Sequence, residues 1–108
     1  MTERRRYPRY YCSYDADYYT YGLVSLEGRS VAADISRGGI RLSVPRIVKK
    51  GNVLKINIYP CGKDYPILAR AKVRWVQKVK GDLPFHVDAG IEFISIEPAD
   101  INKLLHFV

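Results

Sequence analysis

Two short stretches of this 108-residue chain combine residue types that could hold an anionic ligand. The first runs Arg4-Arg5-Arg6-Tyr7-Pro8-Arg9. Proline fixes its own φ and pushes the preceding residue out of the helical region, so Tyr7-Pro8 favours an extended chain. Four guanidinium groups on such a segment can wrap a ligand as a clasp. Arginine suits phosphate because its planar fork donates two parallel hydrogen bonds. It suits guanine because the same fork matches the O6 and N7 acceptors and its flat face stacks on a purine. Taken alone, four arginines near a terminus also fit a solvated, disordered tail.

The second stretch is Asp34-Ile35-Ser36-Arg37-Gly38-Gly39, between two runs that alternate apolar and polar residues. A carboxylate at Asp34 can accept from the N–H donors of a guanine edge, and Ser36 can donate or accept. Arg37 adds a phosphate or base contact, while Gly38 and Gly39 expose backbone that a ligand can approach closely. A plainer reading stands beside this one. Asp34 and Ser36 would satisfy turn backbone groups while the glycines adopt positive φ.

Composition is compatible with an anionic partner. Eighteen Lys and Arg against eleven Asp and Glu give a formal charge of +7, which favours a nucleotide, a nucleic acid or an acidic surface. The length is that of one domain, and 47% hydrophobic with 27% charged residues is an ordinary globular balance. Cys12 and Cys61 have neither metal-ligand spacing nor the density of a disulfide-stapled domain, and read as buried free thiols. No apolar run approaches the roughly 20 residues of a membrane span, and no apolar stretch follows the basic start as in a signal peptide. The expected location is the cytoplasm.

A catalytic reading finds little support. His86 and His106 fall on different elements with no third member for a nucleophilic site, and both read as surface or core-edge histidines. Asp15 and Asp17 lack a further ligand cluster and read as loop aspartates. The chain is expected not to be an enzyme, and no cofactor is expected.

The elements that would position the two stretches are mostly strands. Val31, Ala33 and Ile35 share a face before the Arg37-Gly38-Gly39 turn, and Ile40, Leu42 and Val44 share one after it, which makes a hairpin. Leu54, Ile56 and Ile58 mark the next strand. A longer one follows, with Ile67, Ala69, Ala71, Val73, Trp75 and Val79 on one side and Arg70, Lys72, Arg74 and Lys78 on the other. Phe85, Val87, Ala89, Ile91 and Phe93 mark the last strand, where Gly90 can admit a close neighbour. Tyr10 to Leu26 suits one or two strands. Ile101, Leu104, Leu105 and Val108 then change to helical spacing, with Pro98 suited to the first turn. Five or six short antiparallel strands closing on themselves make a small barrel without exposed edges, covered by that helix.

In this order and on a chain of this size, the two stretches resemble the PilZ domain family of bacterial cyclic di-GMP receptors. Arg5-Arg6-Tyr7-Pro8-Arg9 matches the family's RxxxR motif, and Asp34 to Gly39 matches (D/N)xSxxG, ahead of "AKVRW" and "AGIEF". The resemblance covers essentially the whole chain. It implies a six-stranded antiparallel barrel of split-barrel type with a C-terminal α-helix, in one stand-alone domain. Residues 1–10 would be a flexible arginine-rich ligand-binding segment, 11–96 the barrel and 97–108 the helix.

By that resemblance Arg5 and Arg9 bind phosphates and guanine edges of cyclic di-GMP, while Asp34, Ser36 and the Gly39 region hold a guanine; Arg37 and Gly38 are further ligand-binding candidates in the same motif. An arginine at Arg4 accompanies capture of two stacked cyclic di-GMP molecules in the family, where an apolar residue accompanies one. Arg6 is a further candidate in the same segment. Arg74 and Trp75 either approach the ligand too, or are an exposed neighbour and a core residue. Binding is expected to order the N-terminal segment and so alter the surface shown to an effector protein in trans.

Two other functions compete. A basic barrel could bind single-stranded nucleic acid, with arginines along phosphates and tyrosines stacked on bases. A PilZ-like adaptor could contact proteins without any nucleotide. The crowding of seven of the nine tyrosines between Tyr7 and Tyr21 departs from the family pattern and leaves their place in core, interface or base stacking open.

Overall fold

The computed structural model describes residues 7–20, 27–62, 64–78 and 86–106. Six strands, β1 (Tyr10–Thr20), β2 (Glu27–Ile35), β3 (Gly39–Pro45), β4 (Val53–Tyr59), β5 (Ile67–Gln77) and β6 (His86–Ile96), precede one helix, α1 (Pro98–His106). The strands close into a barrel in the order β1-β2-β3-β6-β5-β4, and every neighbouring pair is antiparallel. This is the six-stranded barrel with a C-terminal helix that the sequence led us to expect. Within the Tyr10 to Leu26 region, β1 occupies Tyr10–Thr20, and residues 21–26 lie outside the described residues.

Alternation fills the barrel. Leu42, Val44, Leu54, Ile56, Ile58, Ala71, Val73 and Ala89 are fully buried, and their strand neighbours face outward. Two of the crowded tyrosines, Tyr14 and Tyr18, belong to the same core, while Tyr11 stands exposed on the outer wall.

Four register irregularities interrupt the strand pairing; one falls in β1–β2 between Tyr11 and Tyr14, and two of the other three overturn sequence readings. Between Ala32 and Asp34 the β2–β3 register slips by one residue. Ala32 and Ile35 are therefore both buried and Val31 is exposed, so Val31, Ala33 and Ile35 do not share a face. Between Val73 and Trp75 the β5–β6 register slips again, and Trp75 comes to lie opposite Gly90 instead of continuing the buried row of Ile67, Ala69, Ala71 and Val73. A third slip places Ile94 outside and returns Ile96 against the core. An extra residue in one strand of a pair has this effect because side chains alternate with period two.

Two smaller readings also change. Cys12 is half-buried, with burial pushing its thiol up, but Cys61 is exposed beyond β4; both are free thiols. Asp15 and Asp17 sit within strand β1 and not in a loop, and the Tyr59 hydroxyl donates to Asp17 at 2.9 Å.

The helix starts where proline permits it, at Pro98, with the Glu97 carbonyl accepting from Asp100 and Ile101 at 2.9 and 3.2 Å. Its dipole is met by Asp100 in the first turn and by Lys103 and His106 in the last. Leu104 is fully buried in the barrel core, with Leu105 packed beside it; Val108 lies outside the described residues. The Tyr14 hydroxyl donates to the Leu104 carbonyl at 2.7 Å, satisfying an acceptor that the helix end leaves without an internal partner. Leu104→Ala should therefore lower unfolding free energy by ~2–5 kcal/mol in a urea titration. Tyr14→Phe, which removes only the hydrogen bond, should lower it by ~1 kcal/mol.

Candidate functional site

Barrel order brings β2, β3, β6 and β5 side by side, so residues far apart in sequence share one stretch of outer wall. A cavity of about 470 Å³ opens there, within the range of small-molecule sites. The N-terminal segment contributes Tyr7 and Arg9, the end of β2 and the β2–β3 turn contribute Asp34, Ser36, Arg37, Gly38 and Gly39, and the strands contribute Arg41, Arg74, Trp75 and Glu92.

The turn is held by its own polar groups. Ser36 N–H donates to the Gly39 carbonyl at 2.9 Å, and Gly38 N–H donates to the Ser36 hydroxyl at 3.1 Å. Phe93 N–H, on β6, donates to the Gly38 carbonyl at 2.8 Å and ties the turn to the wall. Neither Gly38 nor Gly39 has positive φ; that backbone occurs at Gly51 and Gly62 among the described residues. What these two glycines permit is close approach. A side chain at Gly39 would run into the Ile91 carbonyl, and a Cβ at Gly38 would stand 3.1 Å from the Tyr7 ring.

Asp34 is the buried charged residue of the wall, 7% exposed. Its Oδ2 accepts from Arg41 Nε at 2.8 Å, and Arg41 Nη1 donates in turn to Asp88 Oδ2 at 3.2 Å. Across the cavity Arg74 grips Glu92 with both prongs of its fork, at 3.0 Å to Oε2 and 2.7 Å to Oε1. These hydrogen bonds hold the Glu92 carboxyl below its ordinary value and the Arg74 guanidinium above its own. Among the described residues, no ion pair engages Arg9 or Arg37. Two of the wall's cations are thus held by carboxylates, and two carry no ion pair among the described residues.

Trp75 owes its place to the slip at Arg74. Its indole lies across Gly90, where any side chain would collide with the ring, and Arg41 stands opposite the same glycine from β3. An aromatic face, two paired cations and two cations without an ion pair among the described residues therefore surround the cavity.

Of the residues singled out in the sequence, Arg9, Asp34, Ser36, Arg37, Gly38, Gly39, Arg74 and Trp75 line this one cavity. Arg4, Arg5 and Arg6 lie outside the described residues. Sequence reasoning missed Tyr7, Arg41 and Glu92. Tyr7 was inside the arginine motif, and outward alternation places Arg41 beside the second motif, but the pairings of Arg41 and Glu92 depend on cross-strand register. His86 and His106 are on separate elements, as read, and no cluster among the described residues could hold a metal ion.

The family model described as PilZ domain matches residues 3–108. The chain belongs to the PilZ domain family. Solved structures agree on the fold. The Bacillus subtilis inhibitor of motility MotI/DgrA superposes with a TM-score of 0.74 at 22% identity, covering 98% of this chain and 49% of that one. The PilZ domain of Escherichia coli YcgR, solved with c-di-GMP, gives 0.73 at 18% identity, covering 98% and 89%. MrkH, described as a c-di-GMP-dependent transcription regulatory factor, gives 0.67 at 17%, covering 95% and 48%. This chain spans about half the length of the Bacillus protein and of MrkH, and most of the solved YcgR domain. No curated protein matches it significantly.

In this PilZ domain the Arg74–Glu92 pair gives a pH signature. Because the carboxyl of Glu92 is depressed in the fold, the pair's contribution is present above the ordinary carboxyl value and is lost as pH falls through the depressed one. Carbon-detected NMR titration should find Glu92 protonating below 4.5, and Arg74→Gln should return its midpoint towards 4.5.

Proposed function

We propose that this PilZ domain is a bacterial second-messenger receptor that binds cyclic di-GMP in the outer-wall cavity. The observation that carries the reading is the meeting of both sequence motifs at one place: Arg9 from the first, and Asp34, Ser36, Arg37, Gly38 and Gly39 from the second, line a single cavity. The ligand's chemistry divides among them. Its two phosphates call for arginine forks, which Arg9 and Arg37 offer, and its guanine donors call for a carboxylate, which Asp34 offers. Trp75 and Tyr7 offer faces for purine stacking. Arg4, Arg5 and Arg6 extend the clasp in this reading, with Arg4 favouring two stacked nucleotides. The PilZ domain of YcgR, solved with c-di-GMP, supports the ligand class.

The domain acts by binding and not by catalysis, in the cytoplasm, where its ligand would be made. No helix among the described residues is long and apolar enough to cross a membrane. Neutralising the arginines orders residues 1–10 against the barrel, and the changed surface is read by an effector protein in trans.

Calorimetry at moderate salt should show saturable binding of cyclic di-GMP, with two nucleotides per chain. GMP, cyclic di-AMP and a short single-stranded oligonucleotide should give no comparable signal. Arg9→Ala should weaken binding by about tenfold or more, the scale of ~1.4 kcal/mol. Hydrogen exchange should show residues 1–10 gaining protection with ligand. Silence with cyclic di-GMP would sink the receptor reading, and an oligonucleotide signal falling steeply with salt would replace it by nucleic-acid binding.

A further inference from the structure

Arg41 occupies an unusual place on the cavity wall. It stands opposite Asp34 in the β2–β3 register and opposite Gly90 in the β3–β6 register. From there one guanidinium reaches carboxylates on both flanking strands, Asp34 on β2 at 2.8 Å and Asp88 on β6 at 3.2 Å. Its side chain is 30% exposed, while those of Asp34 and Asp88 are 10% and 26% exposed. We propose that Arg41 is a positioning residue that sets guanine selectivity by aiming the Asp34 carboxylate. The inference rests on the cavity being a cyclic di-GMP site.

Guanine presents two kinds of donor on one edge, the ring N1–H and the exocyclic 2-amino group. A carboxylate distinguishes them from other purine edges only if its plane is held towards that edge. An aspartate's own terminal torsion does not hold it, because rotation about that bond is broad and roughly two-fold. The bond from Arg41 Nε engages Oδ2 and assigns Oδ1 to the ligand. A single bond would leave the guanidinium free to swing, and the second, to Asp88, fixes its plane.

Charge makes the same point. Asp34, Arg41 and Asp88 together sum to one negative charge, so pairing does not cancel the carboxylate's capacity to accept from guanine. It does supply the partner that a buried carboxylate requires. Lysine could supply the charge but not the geometry, since one ammonium on a flexible stem cannot present two donors in a fixed plane. The bridge depends on the slip between Ala32 and Asp34, which places Asp34 opposite Arg41 on the outer wall while Ile35 turns inward.

The alternative is that Arg41 meets a phosphate directly, since it lines the cavity. The two roles separate in a double-mutant cycle. Calorimetry would compare cyclic di-GMP with cyclic di-IMP, which lacks only the 2-amino groups, on wild type, Arg41→Lys, Asp88→Asn, Asp34→Ala and the Asp34→Ala/Arg41→Lys double variant. Wild type should prefer cyclic di-GMP by about tenfold or more, the scale of a hydrogen bond to a charged group. Arg41→Lys should narrow that preference to about threefold or less, Asp88→Asn should narrow it in the same direction, and adding Arg41→Lys to Asp34→Ala should change affinity by less than about twofold. Asp88→Asn keeps Arg41 and Asp34 and tests the bridge if the other variants fold poorly by circular dichroism.

Equal weakening for both nucleotides, by the same factor with and without Asp34, would overturn the inference in favour of a phosphate contact. An unchanged preference in Arg41→Lys and Asp88→Asn would overturn it outright. Absence of any cyclic di-GMP binding by wild type would instead remove the site reading on which it rests.

Discussion

A strand in a closed barrel can send each side chain only inward or outward, and the outer-wall cavity exists because two strands break that alternation. If β2 kept its phase through Ala33, a row that buried Ala32 would also turn Asp34 inward and Ile35 outward. If β5 kept its phase through Arg74, Trp75 would follow Val73 into the core. The slips at these two points put a carboxylate and an indole on the outside, on either side of β3 and β6. Each slip costs some regular ladder pairing, and each is followed at once by a residue of the cavity wall.

The charges on that wall sort themselves by pairing. Arg41 and Arg74 are held by carboxylates in fixed planes, so they act as parts of the scaffold, whereas Arg9 and Arg37 carry no ion pair among the described residues. A site with all four cations unpaired would attract any polyanion, and a site with all four neutralised would attract none. Acidic residues among the cations of such a wall would therefore add discrimination, since they oppose phosphate and favour a hydrogen-bond donor.

Much of this was legible in the sequence because period-two alternation is a local property. Leu54, Ile56 and Ile58 reported one buried face, and Ile101, Leu104 and Leu105 reported a change to helical spacing. The wrong faces came where an extra residue reset the phase: Val31 and Ala33 were placed with Ile35, and Trp75 with Val73. Such slips are cross-strand facts, fixed by what Leu42 and Ile91 pair with, and no local pattern contains them. The candidate site divides the same way. Its motifs stood out by residue type, while Arg41 and Glu92 acquired their partners, Asp34, Asp88 and Arg74, only through register.

The filled interior decides where a ligand can act. Residues such as Leu42, Ile56, Val73 and Ala89 are fully buried against one another, and Leu104 of the helix completes their packing. Protein interiors at that density admit no nucleotide and deform little. A nucleotide bound by this barrel would therefore lie on its wall and not among the strands. Tyr7, whose ring rests against Gly38, marks where the described start of the chain meets the turn beside Asp34 and Ser36. A ligand on this wall would share its surface with Tyr7 and Arg9, so what one occupied the others would have to accommodate.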